Sequence, residues 1–436
     1  MVARGDLAGM RILVDTYNLR LPTGTGIKTY GLSLIEALQR LQVEVSLLTD
    51  VRKPKTRYPQ LDEVLIYDVK SARRQRWWRA ATTGLRGLRD VFKRPSPEHV
   101  QVDRVIPDDR FGEKLAISTL FNLPQCYRLA DATYRSMRRL TRLKPPSKVD
   151  VWHATCQLPL RVRGAQQVTT IHDLIPLKLP YTTLDDKRVF YSAVRDALRD
   201  SALIFAVSEC TKRDLLSFYD VPEAKIIVTY QALPNLRHWP GEAFAASVLE
   251  QYSLRPGEYL LFVGNIEPKK NVRMLLRAVS MLQTRMPLVI VGRKAWLWEE
   301  LVVEAQKFFG SQSRYDERVH WLGDIPSLEV GALYANAACL VFPSLYEGFG
   351  LPPLEAMRFG CPVITSNVSS LPEICGNAAL YVDPHEPTQI AEAIANLLAD
   401  QELQVQLITA GYKRVEFFSM ENYAERLLMA YSQLSV

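Results

Sequence analysis

Apolar positions along this chain follow two alternating rhythms. Short runs of four or five apolar residues recur, and between them lie longer stretches whose apolar positions repeat at helical spacing. Short runs of this kind suit strands buried on both faces, and the longer stretches suit helices laid against them. In the first half the runs fall at Arg11–Asp15, Val43–Leu48, Glu63–Tyr67, Val149–His153, Val168–Ile171, Leu203–Val207 and Ile226–Thr229. The first run opens into a glycine-punctuated loop, Thr23-Gly24-Thr25-Gly26, followed by a helical pattern from about Ile27 to Leu41. That is a β-loop-α-β unit, the building block of parallel sheets. Ser208 reads as the N-cap of a further helix.

The second half repeats the rhythm more clearly. Strands are expected at Tyr259–Val263, Leu288–Val291, Val319–Leu322, Cys339–Phe342, Pro362–Thr365 and Leu380–Val382. Helices are expected from an Asn271 cap to about Leu282, and at Trp296–Phe308, Ser327–Asn336 and Leu354–Phe359. The pattern predicts an α/β protein of two Rossmann-like, doubly wound domains with a cleft between them. Residues 1–240 would form the first domain and 250–415 the second, joined where Pro234, Pro240, Pro256 and Gly257 cluster. Residues 416–436 read as a last helix free to cross back onto the first domain.

From about 71 to 148 the alternation fades and basic charge takes over, so this stretch reads as an insertion. Between Arg73 and Arg94 eight Lys or Arg stand against Asp90 alone, with Trp77 and Trp78 among them. Six more bases from Arg128 to Lys144 face only Asp131. Such a segment suits a solvated face or an element lying on an anionic membrane surface. No recognised nucleic-acid motif accompanies the charge, so nucleic acid is not an expected partner.

The remaining totals only narrow the class. A net charge of +7 permits anionic partners without choosing one. Six scattered cysteines without a C-x-x-C pair point away from a metal knot or a disulfide framework and towards a reducing cytoplasm. No apolar leader precedes the first strand, and no run approaches the roughly 18 apolar residues of a membrane span.

The densest chemistry lies in Pro343-Ser-Leu-Tyr-Glu347-Gly348-Phe349-Gly350-Leu351-Pro-Pro-Leu-Glu355. It follows a strand and opens a helix, at the C-terminal sheet edge where such folds bind ligands. A helix start offers N–H donors and a positive dipole end to a phosphate, while the carboxylates accept hydrogen bonds from hydroxyls. Gly348 and Gly350 would let the backbone approach the ligand closely. Anion plus polyol describes a sugar nucleotide.

The E-x7-E spacing, the following Gly-Cys-Pro-Val-Ile-Thr, and the upstream Gly264-Asn265-Ile-Glu-Pro-Lys-Lys270-Asn resemble the large retaining glycosyltransferase family of the GT-B fold. Bacterial mannosyltransferases and sucrose and glycogen synthases belong to it. The likeness is specific from Gly264 to Pro384 and weaker through Gly24–Tyr30, His153 and Thr170-Ile-His172-Asp173. It implies that Glu355 holds the ribose hydroxyls, and that Glu347 with the backbone of Phe349, Gly350 and Leu351 holds the transferred sugar. It further implies that Lys270 neutralises the diphosphate, that Gly26 lines it from the facing domain, and that His172 lies beside the anomeric carbon. Many members carry Arg where this chain has Asn265, which leaves the diphosphate to Lys270 and helix dipoles, helped by Lys269 or Arg293. Transferases of the other common fold use a D-x-D metal motif, and this chain has none. The resemblance thus implies metal-independent, retaining transfer with no cofactor beyond the nucleotide-sugar, GDP-mannose being the first expectation and a UDP- or dTDP-sugar the next. The acceptor would be a glycan or a lipid-linked glycan of surface polysaccharide, at the cytoplasmic face of the cell membrane.

Each candidate also has an ordinary structural reading. Glu347 and Glu355 could be solvated carboxylates favoured near a helix start, Lys270 a surface lysine, and Gly24 and Gly26 a plain turn. His172, next to Asp173, could be a satisfied structural histidine, and His153 either lines the acceptor cleft or packs. A sugar-nucleotide epimerase, a phosphorylase or a non-catalytic basic scaffold are the rival functions.

Overall fold

Sixteen strands and the helices between them form two stacked α/β units in a computed structural model that describes residues 7–19, 26–51, 95–100, 119–145, 147–234, 239–294 and 298–434. The strands of the first half are β1 (Arg11–Asp15), β2 (Glu44–Thr49), β3 (Glu98–Val100), β4 (Thr119–Asn122), β5 (Thr141–Leu143), β6 (Val151–Ala154), β7 (Leu160–Val162), β8 (Gln166–Ile171), β9 (Leu203–Ala206) and β10 (Ile226–Val228). Those of the second half are β11 (Leu260–Val263), β12 (Leu288–Val291), β13 (Val319–Gly323), β14 (Cys339–Phe342), β15 (Val363–Ser366) and β16 (Leu380–Val382).

The first sheet runs β10-β9-β8-β6-β1-β2-β4-β3 and the second β13-β12-β11-β14-β15-β16, while β5 and β7 make a separate pair. All pairings among these strands are parallel except β3 with β4. Both sheets are doubly wound, as the rhythm of apolar runs predicted. In the first the order reverses between β1 and β6, and in the second between β11 and β14. Crevices at such reversals are where open α/β sheets bind ligands.

Several elements differ from the sequence expectation. Thr119–Asn122 and the helix Cys126–Met137 lie inside the stretch read as an insertion, yet β4 pairs with β2 in the main sheet. That helix buries Cys126, Tyr127, Ala130, Thr133 and Tyr134, a helical spacing masked by the basic residues on its other face. The expected strand Glu63–Tyr67, the loop residues Gly24 and Thr25, and the Trp77/Trp78 segment lie outside the described residues. Asn271 does not cap its helix with its side chain. It adopts a left-handed conformation (φ 57°) at the start of the helix Val272–Met281, and its amide turns to other loops instead. Ser208 does cap, its side chain accepting from the Thr211 N–H at the helix Glu209–Phe218.

The helix Met420–Tyr431 returns from the second unit to the first. Tyr423 meets Tyr30 edge-on at 6.5 Å, Tyr431 meets Phe205 at 5.2 Å, and Glu421 pairs with Arg40. The Leu233 N–H donates to Phe418 O at 3.0 Å, tying the linker to this returning segment. Among the described residues no helix is long and apolar enough to cross a membrane.

Candidate active site

The reversal in the second sheet places two loops side by side, one after β11 and one after β14. The first ends in the turn Pro268–Lys270, and the second carries Glu347. Lys270 Nζ reaches Glu347 Oε1 at 2.6 Å, and the ammonium stands 4.9 Å from the centre of the Phe342 ring. Glu347 is only 7% exposed. Burial alone would raise its carboxyl, but Lys270 and Lys269 more than offset that and hold it below the ordinary range. Asn271 fastens the arrangement. Its Nδ2 donates to Pro343 O at 3.0 Å and to Pro384 O at 2.6 Å, joining the ends of three strands, and the Leu345 N–H donates to Lys269 O at 2.8 Å.

The helix Leu351–Arg358 starts at Gly350, whose φ of 106° suits glycine. Pro352 and Pro353 follow and carry no N–H, so the donors of this terminus reduce to the backbone of Gly350 and Leu351. Phe349 contributes only backbone to the cleft, since its ring packs edge-on against Phe418 at 5.4 Å. Ser370 Oγ donates to both Glu347 O and Phe349 O, at 2.9 and 2.8 Å, which holds the loop between the two carboxylates. Glu355 lies one turn into the helix and accepts from Tyr334 Oη at 3.1 Å. Burial raises its carboxyl above the ordinary range, against the Tyr334 bond and the charge of Arg358. Asn265 lies at the C-terminal end of β11, where its carbonyl accepts from the Glu267 N–H at 3.0 Å, and Arg293 lies 3.8 Å from Asp324.

The first unit faces this edge. Gly26 begins the helix Gly26–Arg40, and a Cβ there would lie 3.7 Å from Leu351 Cδ1, so two helix N-termini meet across the cleft. His172 follows β8. Its Nε2 pairs with Thr155 O at 2.8 Å, so the Nε2–H donates, and Tyr30 stands edge-on to the ring at 4.8 Å. Burial lowers its pKa, opposed by the Thr155 carbonyl and Asp173. Asp173 accepts from the Ile175 N–H at 3.0 Å, just ahead of the short helix Ile175–Lys178. Burial works to lower the Lys269 ammonium, yet Asp173 across the cleft, with Glu347 and Glu267, raises it overall.

Gly348 has a role that the sequence did not suggest. An added Cβ would lie 2.1 Å from His172 O, so its missing side chain admits the backbone of the facing unit rather than only a ligand. Ser208 Oγ donates to Gly348 O at 2.7 Å, and Thr211 Oγ1 to His172 O at 2.9 Å, closing the same junction. Glu373 accepts from the N–H groups of Glu209 and Cys210 at 2.7 and 3.0 Å, a carboxylate of one unit at a helix start of the other. None of these contacts was legible in the sequence, because partners up to 176 positions apart, as Gly348 and His172 are, carry no shared local signal.

His153 does not line the cleft. It is 0% exposed, with Nε2 2.7 Å from Thr170 Oγ1 and Nδ1 bonded to Tyr431 Oη. Burial, with His172 nearby, pushes its pKa down to about 3, so it is a neutral packing residue beneath the returning helix.

The family described as Glycosyl transferases group 1 matches residues 251–414, and Glycosyltransferase Family 4 matches residues 24–233. The O-antigen chain mannosyltransferase B of Escherichia coli is 35% identical over 286 residues, covering 64% of this chain and 72% of that one. The chain belongs to the group 1 glycosyltransferases. This glycosyltransferase is also 30% identical over 282 residues to the serotype-specific mannosyltransferase WbdA of Escherichia coli, covering 61% of this chain but only 33% of that longer protein. Among solved structures, Anabaena HepE in complex with UDP and glucose superposes with a TM-score of 0.65 at 15% identity, over 98% of this chain and all of that one. At that identity the likeness speaks for the fold, which is GT-B.

Proposed function

We propose that this glycosyltransferase moves a mannosyl group, with retention and without a metal, from GDP-mannose to a growing surface glycan. The observation that carries the donor site is the Lys270–Glu347 pair at the reversal of the second sheet, opposite the meeting helix starts of Gly26 and Leu351. Lys270 has three N–H donors, so it can hold Glu347 and a diphosphate oxygen together. Glu347 and the Phe349–Leu351 backbone hold the sugar hydroxyls, and Glu355 takes the ribose. As the glycosyl–phosphate bond breaks, negative charge grows on the leaving diphosphate, where Lys270, Lys269 and the two helix starts are already aimed. His172 stands at the facing edge beside the anomeric carbon. The leaving phosphate takes the proton of the incoming hydroxyl on the same face, which retains configuration without a carboxylate nucleophile.

The choice of mannose rests on the named activities of the two Escherichia coli relatives. The UDP bound to HepE keeps a UDP-sugar as the second reading. Exposed Arg135, Arg138, Arg139, Arg142 and Lys144 continue the basic character of residues 71–148 and support docking on the anionic inner face of a membrane, next to a lipid-linked acceptor.

Thermal-shift screening against GDP-mannose, UDP-glucose, dTDP-rhamnose and ADP-glucose identifies the donor, because a true donor stabilises the folded state. GDP-mannose is expected to give the largest shift, and a larger response to UDP-glucose overturns the mannose assignment. Lys270→Ala and Glu355→Ala are expected to lower transfer at least about 100-fold while remaining folded. Full activity of both under saturating donor refutes the site. Incubation with donor alone is expected to leave the nucleotide-sugar unepimerised.

A further inference from the structure

The C-terminal ends of β8, β6 and β1 lie next to one another, and each carries one member of a continuous hydrogen-bonded row. His172 follows β8, Thr155 follows β6, and Asp15 ends β1. The His172 Nε2–H donates to Thr155 O at 2.8 Å. Asp15 grips Thr155 from the other side, Oδ2 accepting from the Thr155 N–H at 2.5 Å and Oδ1 from the Thr155 hydroxyl at 3.1 Å. Oδ1 also accepts from the Tyr17 N–H at 3.0 Å. Asn18 Nδ2 donates to Thr155 Oγ1 at 3.4 Å, so the threonine is held by two side chains of the β1 loop. Asp15 is 0% exposed and lies at the β1/β6 reversal of the first sheet, the counterpart of the reversal that carries Lys270 and Glu347.

We propose that Asp15 is the positioning residue of the facing half-site, fixing the Thr155 carbonyl and through it the tautomer and aim of His172. A buried carboxylate is costly, and this one is pushed up to about 6 by burial against its hydrogen bonds, so the fold tolerates it at a cost. What it gains is acceptors for two backbone N–H groups and one hydroxyl at a single point. The Thr155 carbonyl places the imidazole proton on Nε2 and leaves Nδ1 unprotonated in the neutral ring. The ring of Tyr30, whose Oη lies 2.6 Å from Thr170 Oγ1, stands edge-on to His172 and limits its swing. Asparagine has the shape of Asp15 but only one acceptor oxygen. Whichever way its amide lies, an NH2 then meets either the Thr155 or the Tyr17 N–H, and the row loosens.

The inference rests on His172 acting at the reacting centre, and the test separates the two ideas. Steady-state transfer from GDP-mannose is measured for wild type, Asp15→Asn, His172→Ala and the double variant, with unfolding midpoints as a folding control. Asp15→Asn is expected to lower kcat tenfold or more with donor KM within twofold. In the His172→Ala background it is expected to cost less than a further twofold. If His172→Ala is impaired and the two losses multiply, Asp15 acts by another route and the inference fails alone. If His172→Ala transfers as wild type does, the role of His172 fails, and the inference with it. A reading independent of transfer comes from long-range nitrogen–proton spectra of the six histidines, assigned with His172→Ala. Wild type is expected to show a single Nε2–H tautomer at His172 and Asp15→Asn a mixture, and an unchanged spectrum overturns the inference. Should Asp15→Asn fold poorly, Thr155→Val removes one of the carboxylate's partners while keeping the backbone, and is expected to lower kcat by a smaller factor in the same His172-dependent way; a wild-type kcat in that variant overturns the inference.

Discussion

Replacing Gly348 by alanine tests whether the two units must touch for transfer. The added Cβ would lie 2.1 Å from His172 O, 2.9 Å from Asp173 Cβ and 3.0 Å from His172 C. A carbon–oxygen contact settles near about 3.3 Å, so the backbones must part by about 1 Å. Neither side yields easily, because Gly348 O accepts from Ser208 Oγ at 2.7 Å and His172 O from Thr211 Oγ1 at 2.9 Å. Losing such contacts and overpacking the junction costs about 1–3 kcal/mol, a few degrees in the unfolding midpoint of a domain this large. The kinetic effect is expected to be larger. His172 and the Glu347 loop belong to opposite units, and a misplacement of about 1 Å at a reacting centre costs about 100-fold in rate. Gly348→Ala is therefore expected to keep the thermal shift produced by donor and to lose about two orders of magnitude in kcat for transfer. A kcat within threefold of wild type refutes the reasoning. Loss of the donor shift in parallel with the rate also refutes it, because the glycine would then serve the ligand rather than the junction.

Three further outcomes follow from the same geometry. Asn271→Ala leaves the carbonyls of Pro343 and Pro384 without their donor and is expected to destabilise the second unit by about 2–4 kcal/mol, measured by denaturant unfolding. His153, with a folded pKa near 3 against about 6.5 when unfolded, refuses a proton that the unfolded chain accepts. Its share of stability is complete above pH 6.5 and is lost as pH falls, by about 2 kcal/mol between pH 6.5 and 5; His153→Phe is expected to flatten that part of the stability–pH curve, to which Asp15 contributes with the opposite sign. Glu373→Gln leaves one acceptor for the N–H groups of Glu209 and Cys210 and is expected to lower the midpoint of thermal unfolding by an amount matching about 1 kcal/mol.

How much was legible depended on whether a residue's partner lay near it in sequence. The apolar runs at Leu260–Val263 and Cys339–Phe342 announce buried strands by themselves, because a strand covered on both faces has no polar positions to alternate with. Thr119–Asn122 is as short and keeps only Leu120 and Phe121 as apolar positions, inside a stretch read as basic, and its pairing with β2 identifies it as a strand. Asn271 looked like a cap because asparagine before a helical run usually is one. In the fold a left-handed turn aims its amide at two distant carbonyls, which outweigh the local bond. His153 was open between cleft and core, and the returning helix decided it by bringing the Tyr431 hydroxyl to Nδ1.

By itself the sequence determined the fold class and the family. The two doubly wound sheets, the family and the Glu347–Glu355 cassette are written in short-range patterns, since strand burial, helix starts and glycine turns are set by neighbours within a few residues. The facing half was decided only by tertiary structure. Asp15, Thr155 and His172 lie up to 157 positions apart and become a row because parallel strands bring their C-terminal ends to one edge. Gly348 likewise becomes a point of contact between units only when a second backbone arrives 2.1 Å from where its side chain would be. Chain order sets which residues are available, and the order of strands in the sheet sets which of them meet.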